Sequence, residues 1–520
     1  MDSSNPTAEL IYRTRLFPDT PLTITHTPLS ILDSTVIRFS PSAAIWAYKQ
    51  APPLHTLSAS LTVTLNSYPQ WAGQLRRVPY LYHGDHTQRH GRLMITYGAP
   101  SDPGIEYVVA HSPSTLYSLQ METPANGCTI ASFPSDELLN HTTPLALHDA
   151  VQFDGLPSVV VQVTTFSDGG AVIAVKMAHP IADAQTLLRF SHDWAAVSSS
   201  ILAGVPRPSL SPVFDPRLLD QAAAGVIDAL YPNPAILAVS RELPQHRYDL
   251  WASAKDCPPS FEFATSIPPL LSPDEVGPIG NALSWSDWDS TAPVARYFIT
   301  FDATELEGIW LDASSKTSVS HLDALLAHIW ALIVRARGLG EDEPYYLDIT
   351  FGLRDRLNPP LPQNYVGSPL TLTKVMITGR EGTMHQLEAI SKSIRSSLNA
   401  FNPSSLSAML HEYAFESDSG RMWNAFFGQR NTIVTSWLKL GVRDVNFGTG
   451  VPIYAEAVMP SVDGLIQVME ASPCRIEGRN FKWYDNPVNV SLHLRTDVME
   501  RVLQDPMLRK YRVSSTLGER

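Results

Sequence analysis

The stretch that most constrains this chain runs from Ser158 to Ser199, "SVVVQVTTFSDGGAVIAVKMAHPIADAQTLLRFSHDWAAVSS". Two runs rich in β-formers flank "SDGG", a turn signal suited to positive φ, so the pair reads as a hairpin. Beyond it, Leu187, Leu188, Phe190, Trp194 and Ala195 fall at helical spacing. His179 therefore sits where a strand hands over to a helix, with Asp183 four positions later. Histidine has the side-chain pKa nearest neutrality, so it can take a proton from an alcohol and return it. A purely structural reading also fits these two residues. In it, His179 ends a strand and Asp183 opens a helix whose N-terminus favours a carboxylate. The His-x-x-x-Asp spacing does not choose between the two readings.

A chain of 520 residues exceeds one ordinary domain, and two large domains are the natural expectation. The proline-rich run "AGVPRPSLSPVFDPRLL" (Ala203 to Leu219) marks the exit from a first domain, 1–205. Residues 206–290, with "CPPS", "SIPPLLSP" and "VGPIG", read as a linker and irregular surface insertion, and 291–520 as a second domain. There the strand "RYFITF" precedes a long helix from Val319 to Gly338. Strand signals follow at "YYLDITFGLR", "TIVTSWLKL", "GLIQVMEA" and "PVNVSLHLR". Strands scattered among helices across both halves imply a mixed α/β architecture.

The formal charge of −13 disfavours nucleic acid as a partner. Cys128, Cys257 and Cys474 are far apart and offer neither a disulfide framework nor metal spacing, which fits a reducing compartment. The first residues lack the apolar centre of a signal peptide, and no apolar run is long enough to span a bilayer. The expectation is a cytoplasmic protein with no metal, membrane or nucleic-acid partner.

The order of several further segments resembles the BAHD acyltransferases, acyl-coenzyme-A-dependent enzymes of plant and fungal specialised metabolism, and in particular the fungal type. "HPIAD" (His179 to Asp183) matches the HxxxD motif after the same strand pair, and "NFGTG" (Asn446 to Gly450) stands where the family has DFGWG. "LRDRLNPPLPQNYVGS" (Leu353 to Ser368) resembles the segment that ends YFGN, and "TSW" (Thr435 to Trp437) precedes NFGTG at the family's interval. "SLTVTLNSYPQWAGQLR" and "VSLHLRTDVMERVLQDPMLRKY" look like the early helix and the closing strand and helix. The departures are Asn446 for Asp, Thr449 for Trp, "YVGS" for "YFGN", and Ala184 where a glycine often follows HxxxD.

The resemblance implies a two-domain fold like chloramphenicol acetyltransferase, α/β, with mixed sheets and flanking helices. It also implies a reaction centre midway along a tunnel between the domains, which coenzyme A and the acceptor enter from opposite faces. His179 would be the general base, with Thr435 and Trp437 contacting the tetrahedral intermediate, although Trp437 serves equally well as a core residue. Asp183 would pair with Arg354 and orient the histidine loop. Ser320, Lys316 and Ser436 are the candidate cofactor contacts, and Ser320 also reads as a plain helix cap. Asn446, Phe447, Gly448, Thr449 and Gly450 read as structural, the glycines allowing close backbone approach.

The implied activity is transfer of an acyl group, acetyl by preference, from acyl-CoA to a hydroxyl of a small metabolite. The enzyme would be monomeric and hold no permanent cofactor. Two alternatives share the fold: an N-acyltransferase acting on an amine, and a condensation-like protein charged by a carrier protein. Condensation-like domains usually carry a second histidine before the catalytic one, where this chain has Ala178. A catalytically idle binding protein is disfavoured by the intact His179 and Asp183.

Overall fold

The computed structural model describes residues 8–81, 84–119, 128–130, 137–148, 152–271, 276–277, 279–315, 318–471 and 482–512. Two large sheets organise them. The first has six strands in the order Glu9–Leu16, Ile105–Ser112, Val159–Phe166, Ala171–Met177, Ser42–Tyr48 and Tyr454–Ala457. The second has seven, in the order Leu370–Thr378, Pro344–Gly352, Asn431–Ser436, Leu465–Glu470, Val488–Arg495, Val294–Phe301 and Cys128–Ile130. Each sheet therefore ends on a strand from the other half of the chain. Tyr454–Ala457 pairs with Ser42–Tyr48, and Cys128–Ile130 with Val294–Phe301.

The hairpin forms as its sequence implies, with Val159 opposite Met177 and Gly169 at φ +83° in the turn. Its strands lack the alternation of a half-exposed sheet because both faces are covered. One face packs under the helices Leu54–Leu65 and Ala184–Ala203 through Trp46, Leu57, Leu61, Phe190 and Trp194. The opposite face, including Ile45, Val172 and Ala174, packs on Leu116, Leu138 and Leu139. In the second half, the helix His321–Arg337 starts at a Ser320–Asp323 capping box and ends on left-handed Gly338. Leu325, Leu326, Ile329, Trp330 and Ile333 bury that helix against the second sheet.

The insertion expected at 206–290 is irregular over most of its length, but it is firmly built in. Arg421 forms a buried bidentate pair with Asp249 at 2.5 and 2.8 Å. The Trp285 indole N–H donates to Ser253 O at 2.6 Å. Leu250, Ala264, Leu283, Trp285 and Phe426 form a small core of their own. No helix of the described residues is long and apolar enough to cross a membrane.

Candidate active site

The strand Ala171–Met177 ends one residue before a single 3₁₀ turn, His179–Ile181, with Pro180 fixing the backbone. Asp183 then caps the helix Ala184–Ala203, accepting from Thr186 N–H at 2.9 Å. The His179 side chain is thus held between a sheet and a capped helix. Its Nδ1 lies 3.0 Å from Oγ of Ser368, which is fully buried. The Ser368 N–H donates in turn to Asp33 Oδ1 at 2.6 Å. Phe39 meets the imidazole edge to face, with centroids 5.3 Å apart. Burial disfavours the imidazolium and lowers the His179 pKa to about 4, against the opposing pull of Asp183. The ring is therefore neutral at pH 7. In the tautomer that donates from Nδ1 to Ser368, the Nε2 lone pair is left available.

Asp183 and Arg354 form a bidentate pair, Nη1 to Oδ2 at 2.6 Å and Nη2 to Oδ1 at 3.0 Å, with both residues buried. Arg354 also donates to Thr186 Oγ1 at 2.9 Å and to the carbonyls of Tyr365 and Gly367 at 3.3 and 3.4 Å. Both carboxylate oxygens are thereby occupied by protein donors, although Asp183 and Arg354 touch the cavity described next.

The strand Asn431–Ser436 lies parallel between two neighbours of the second sheet and ends where His179 arrives from the first. Thr435, Ser436 and Trp437 line a cavity of about 430 Å³ together with His179. Thr435 and Ser436 are half-buried. Trp437 is buried, and its backbone N–H donates to Val468 O at 2.8 Å. A second cavity of about 810 Å³ adjoins the first. The two share Arg38, Ser40, Phe261, Trp288, Trp423 and Phe427 as walls.

The other candidates lie elsewhere. The Ser320 hydroxyl accepts from Asp323 N–H and from Arg395, each at 3.1 Å, as expected of a helix cap, and Ser320 lines neither cavity. Lys316 lies outside the described residues. In the NFGTG segment, Asn446 Oδ1 accepts from Gly448 and Gly450 N–H at 2.8 and 3.0 Å. The Asn446 and Phe447 carbonyls accept from Ser199 and Ser198 of the long helix at 2.8 and 2.9 Å. Phe447 is fully buried against Trp194, and the Thr449 hydroxyl donates to Gln50 O at 3.0 Å. This segment fastens the helix that Asp183 caps and does not line the cavities.

Sequence reasoning missed Ser368, Asp33, Phe39, Arg38 and the aromatic walls. Ser368 was in view as the last letter of "YVGS", in the position where the family has asparagine. Asp33, Arg38 and Phe39 lie more than a hundred residues from His179 and, like the aromatic walls, are brought to it only by the fold.

Comparison with known proteins identifies the family and the fold. A model of the Transferase family matches residues 7–238 and 295–507. Acyltransferase AFT15-1 of Alternaria alternata is 27% identical over 485 residues, covering 90% of each chain. Acyltransferase abl6 of Leptosphaeria maculans is 25% identical over 498 residues, covering 92% of this chain and 93% of its own. Among solved structures, TRI101 of F. sporotrichioides, complexed with coenzyme A and T-2, superposes with a TM-score of 0.62 at 18% identity. That match covers 93% of this chain and 98% of the other, and it shows a common fold. With the family model spanning both halves around a shared histidine cavity, the chain belongs to the Transferase family and is a BAHD acyltransferase.

Proposed function

We propose that the protein is an acyl-CoA-dependent O-acyltransferase, with acetyl-CoA the favoured donor, that esterifies a hydroxyl of a small specialised metabolite. The observation that carries this reading is the single cavity lined by His179 from one sheet and by Thr435, Ser436 and Trp437 from the other. It draws support from the TRI101 complex, which holds coenzyme A together with T-2.

In this mechanism His179 Nε2 takes the acceptor's proton as its oxygen attacks the thioester carbonyl carbon. The carbonyl π electrons move to oxygen, and the Thr435 hydroxyl and Trp437 indole N–H donate to that oxyanion. The intermediate then collapses, the carbon–sulfur bond breaks, and the imidazolium returns its proton to the departing sulfur. Ser368 holds the ring through Nδ1, while the Asp183–Arg354 pair holds the loop. Ser436 stands beside the acyl-CoA path. In the same reading the enzyme works as a cytoplasmic monomer, its chain dividing near residues 205 and 291.

Incubation with acetyl-CoA or longer acyl-CoA and a panel of alcohols, followed by mass spectrometry, tests the proposal. It stands if acyl esters and free coenzyme A appear together. It fails if the acyl group goes only to amines, or is accepted only from a carrier protein.

A further inference from the structure

We propose that the wider cavity seats the acceptor, and that the acceptor carries a carboxylate on a planar or apolar body. This inference rests on the acyltransferase reading above. The cavity of about 810 Å³ is of a size that holds one small organic molecule. Its walls include Phe261, Phe263, Trp285, Trp288, Trp423 and Phe426. These rings are set against one another, Trp285 and Trp288 at 6.2 Å and Phe261 and Trp288 at 5.5 Å between centroids. Such walls favour a flat or apolar body over a hydrated one.

Against the aromatic walls stand two arginines, Arg38 and Arg77. Arg38 is fixed by donation from its Nε to Gly420 O at 3.0 Å, and its guanidinium lies 5.3 Å from the Phe263 centroid. Its terminal amines have no hydrogen-bond partner among the described residues, and no carboxylate there pairs with it. The acid that pulls on it, Asp418, is engaged elsewhere, with Oδ2 at 3.1 Å from His90 Nδ1 and Oδ1 accepting from Gly420 N–H at 2.8 Å. Burial, together with the like charge of Arg77, lowers the Arg38 pKa, against the pull of Asp418. A guanidinium remains charged under these conditions, so the cavity presents fixed positive charge beside aromatic rings. A carboxylate is the compact anion that the guanidinium fork matches.

The position of Arg38 and Ser40 in both cavities connects this seat to His179, so a hydroxyl on the same molecule can reach the reaction centre. Much of the aromatic wall comes from Phe261, Phe263, Trp285 and Trp288, which lie between the two matched segments of the family model. The wall is thus built by the part of this chain that departs most from its family. The phosphates of coenzyme A are the other anions that two arginines can hold, and the experiment separates them from the acceptor.

Binding is measured by tryptophan fluorescence quenching, because Trp285, Trp288 and Trp423 face the cavity. The probes are hydroxylated aromatic and alicyclic monocarboxylic acids, each paired with its own methyl ester, and coenzyme A. The expected result is that acids of the panel bind about tenfold or more tightly than their esters, the worth of one charged hydrogen-bonded pair. Arg38→Met should erase that preference, Arg38→Lys should keep part of it, and Arg77→Ala should weaken it, with coenzyme A binding unchanged throughout. Arg77 is exposed, so Arg77→Ala still reports if Arg38→Met does not fold. Esters binding as well as acids across the panel would overturn the proposal. A loss of coenzyme A affinity in Arg38→Met and in Arg77→Ala would also overturn it, by giving the arginines to the cofactor. If the acyltransferase reading itself fails, the signature differs: the acid preference persists while coenzyme A neither binds nor donates an acyl group.

Discussion

Arg354 and Asp183 meet across 171 residues of sequence in a bidentate pair, at 2.6 and 3.0 Å, buried on both sides. The pair ties the "LRDR" segment to the helix cap that follows His179, so removing one partner leaves an uncompensated buried charge. Arg354→Met should destabilise the protein by about 3–5 kcal/mol, as judged by urea unfolding. A cost within a few tenths of a kcal/mol would show that the pair does not hold the loop.

In the proposed mechanism Ser368 is a positioning residue, since it touches the imidazole and not the reacting atoms. Ser368→Ala removes the oxygen 3.0 Å from His179 Nδ1 while leaving the backbone donation to Asp33 intact. The rate constant kcat should fall about tenfold, equivalent to about 1.4 kcal/mol, with KM for acyl-CoA nearly unchanged. Ser368→Asn, which restores the family's residue, should recover part of the loss. An unchanged kcat in Ser368→Ala would remove the serine from the mechanism.

In the proposed mechanism the low pKa of His179 sets the acid limb of the pH profile. Burial holds the ring at about 4, below its ordinary 6.5, so the neutral base persists as pH falls and is lost only near pH 4. The plot of kcat/KM should stay flat from pH 8 down to about 5 and then drop, because that ratio reports the free enzyme. The sign for stability is the reverse of a paired histidine. Below pH 6.5 the unfolded chain binds a proton that the native site refuses, so this residue's contribution to stability declines as pH falls from 6.5 to 4. An acid limb centred at 6.5 or above would contradict the burial argument.

Gly448 has φ +104°, and a Cβ there would lie 2.7 Å from Leu202 Cδ1 and 3.2 Å from Ser199 Cα. Gly448→Ala should therefore cost about 1–3 kcal/mol of stability through backbone strain and crowding. The folded fraction should retain its KM for acyl-CoA. A raised KM with unchanged stability would move NFGTG from the scaffold to the cofactor site.

The histidine, its carboxylate and the "TSW" strand were legible because each lies at the end of an element whose period the sequence announces. Strands buried on both faces still read as strands, since valine and isoleucine fill them. Sequence reasoning gave too little weight to residues 206–290, where proline and short polar runs suggest loose surface chain. The structure uses tryptophans and phenylalanines from that region to wall a cavity, a role that no local period encodes. Arg38 was invisible, and Ser368 was visible only as a letter of "YVGS" with no role, for a related reason. Each matters through one contact with a residue far away in sequence, Gly420 for one and His179 for the other.

The central claim is that His179 is the general base. Position supports it, because the ring ends a strand and faces the cavity shared with Thr435 and Trp437. Chemistry supports it as well, because a neutral alcohol must shed a proton to attack a thioester, and His179 is the histidine in that cavity's lining. The most direct measurement is single-turnover acyl transfer by His179→Ala, with coenzyme A binding and thermal unfolding recorded on the same preparation. The expected result is a fold and coenzyme A affinity close to the parent, with the transfer rate lower by about two to four orders of magnitude. A folded His179→Ala protein that still transfers the acyl group at near-parental rate would contradict the account.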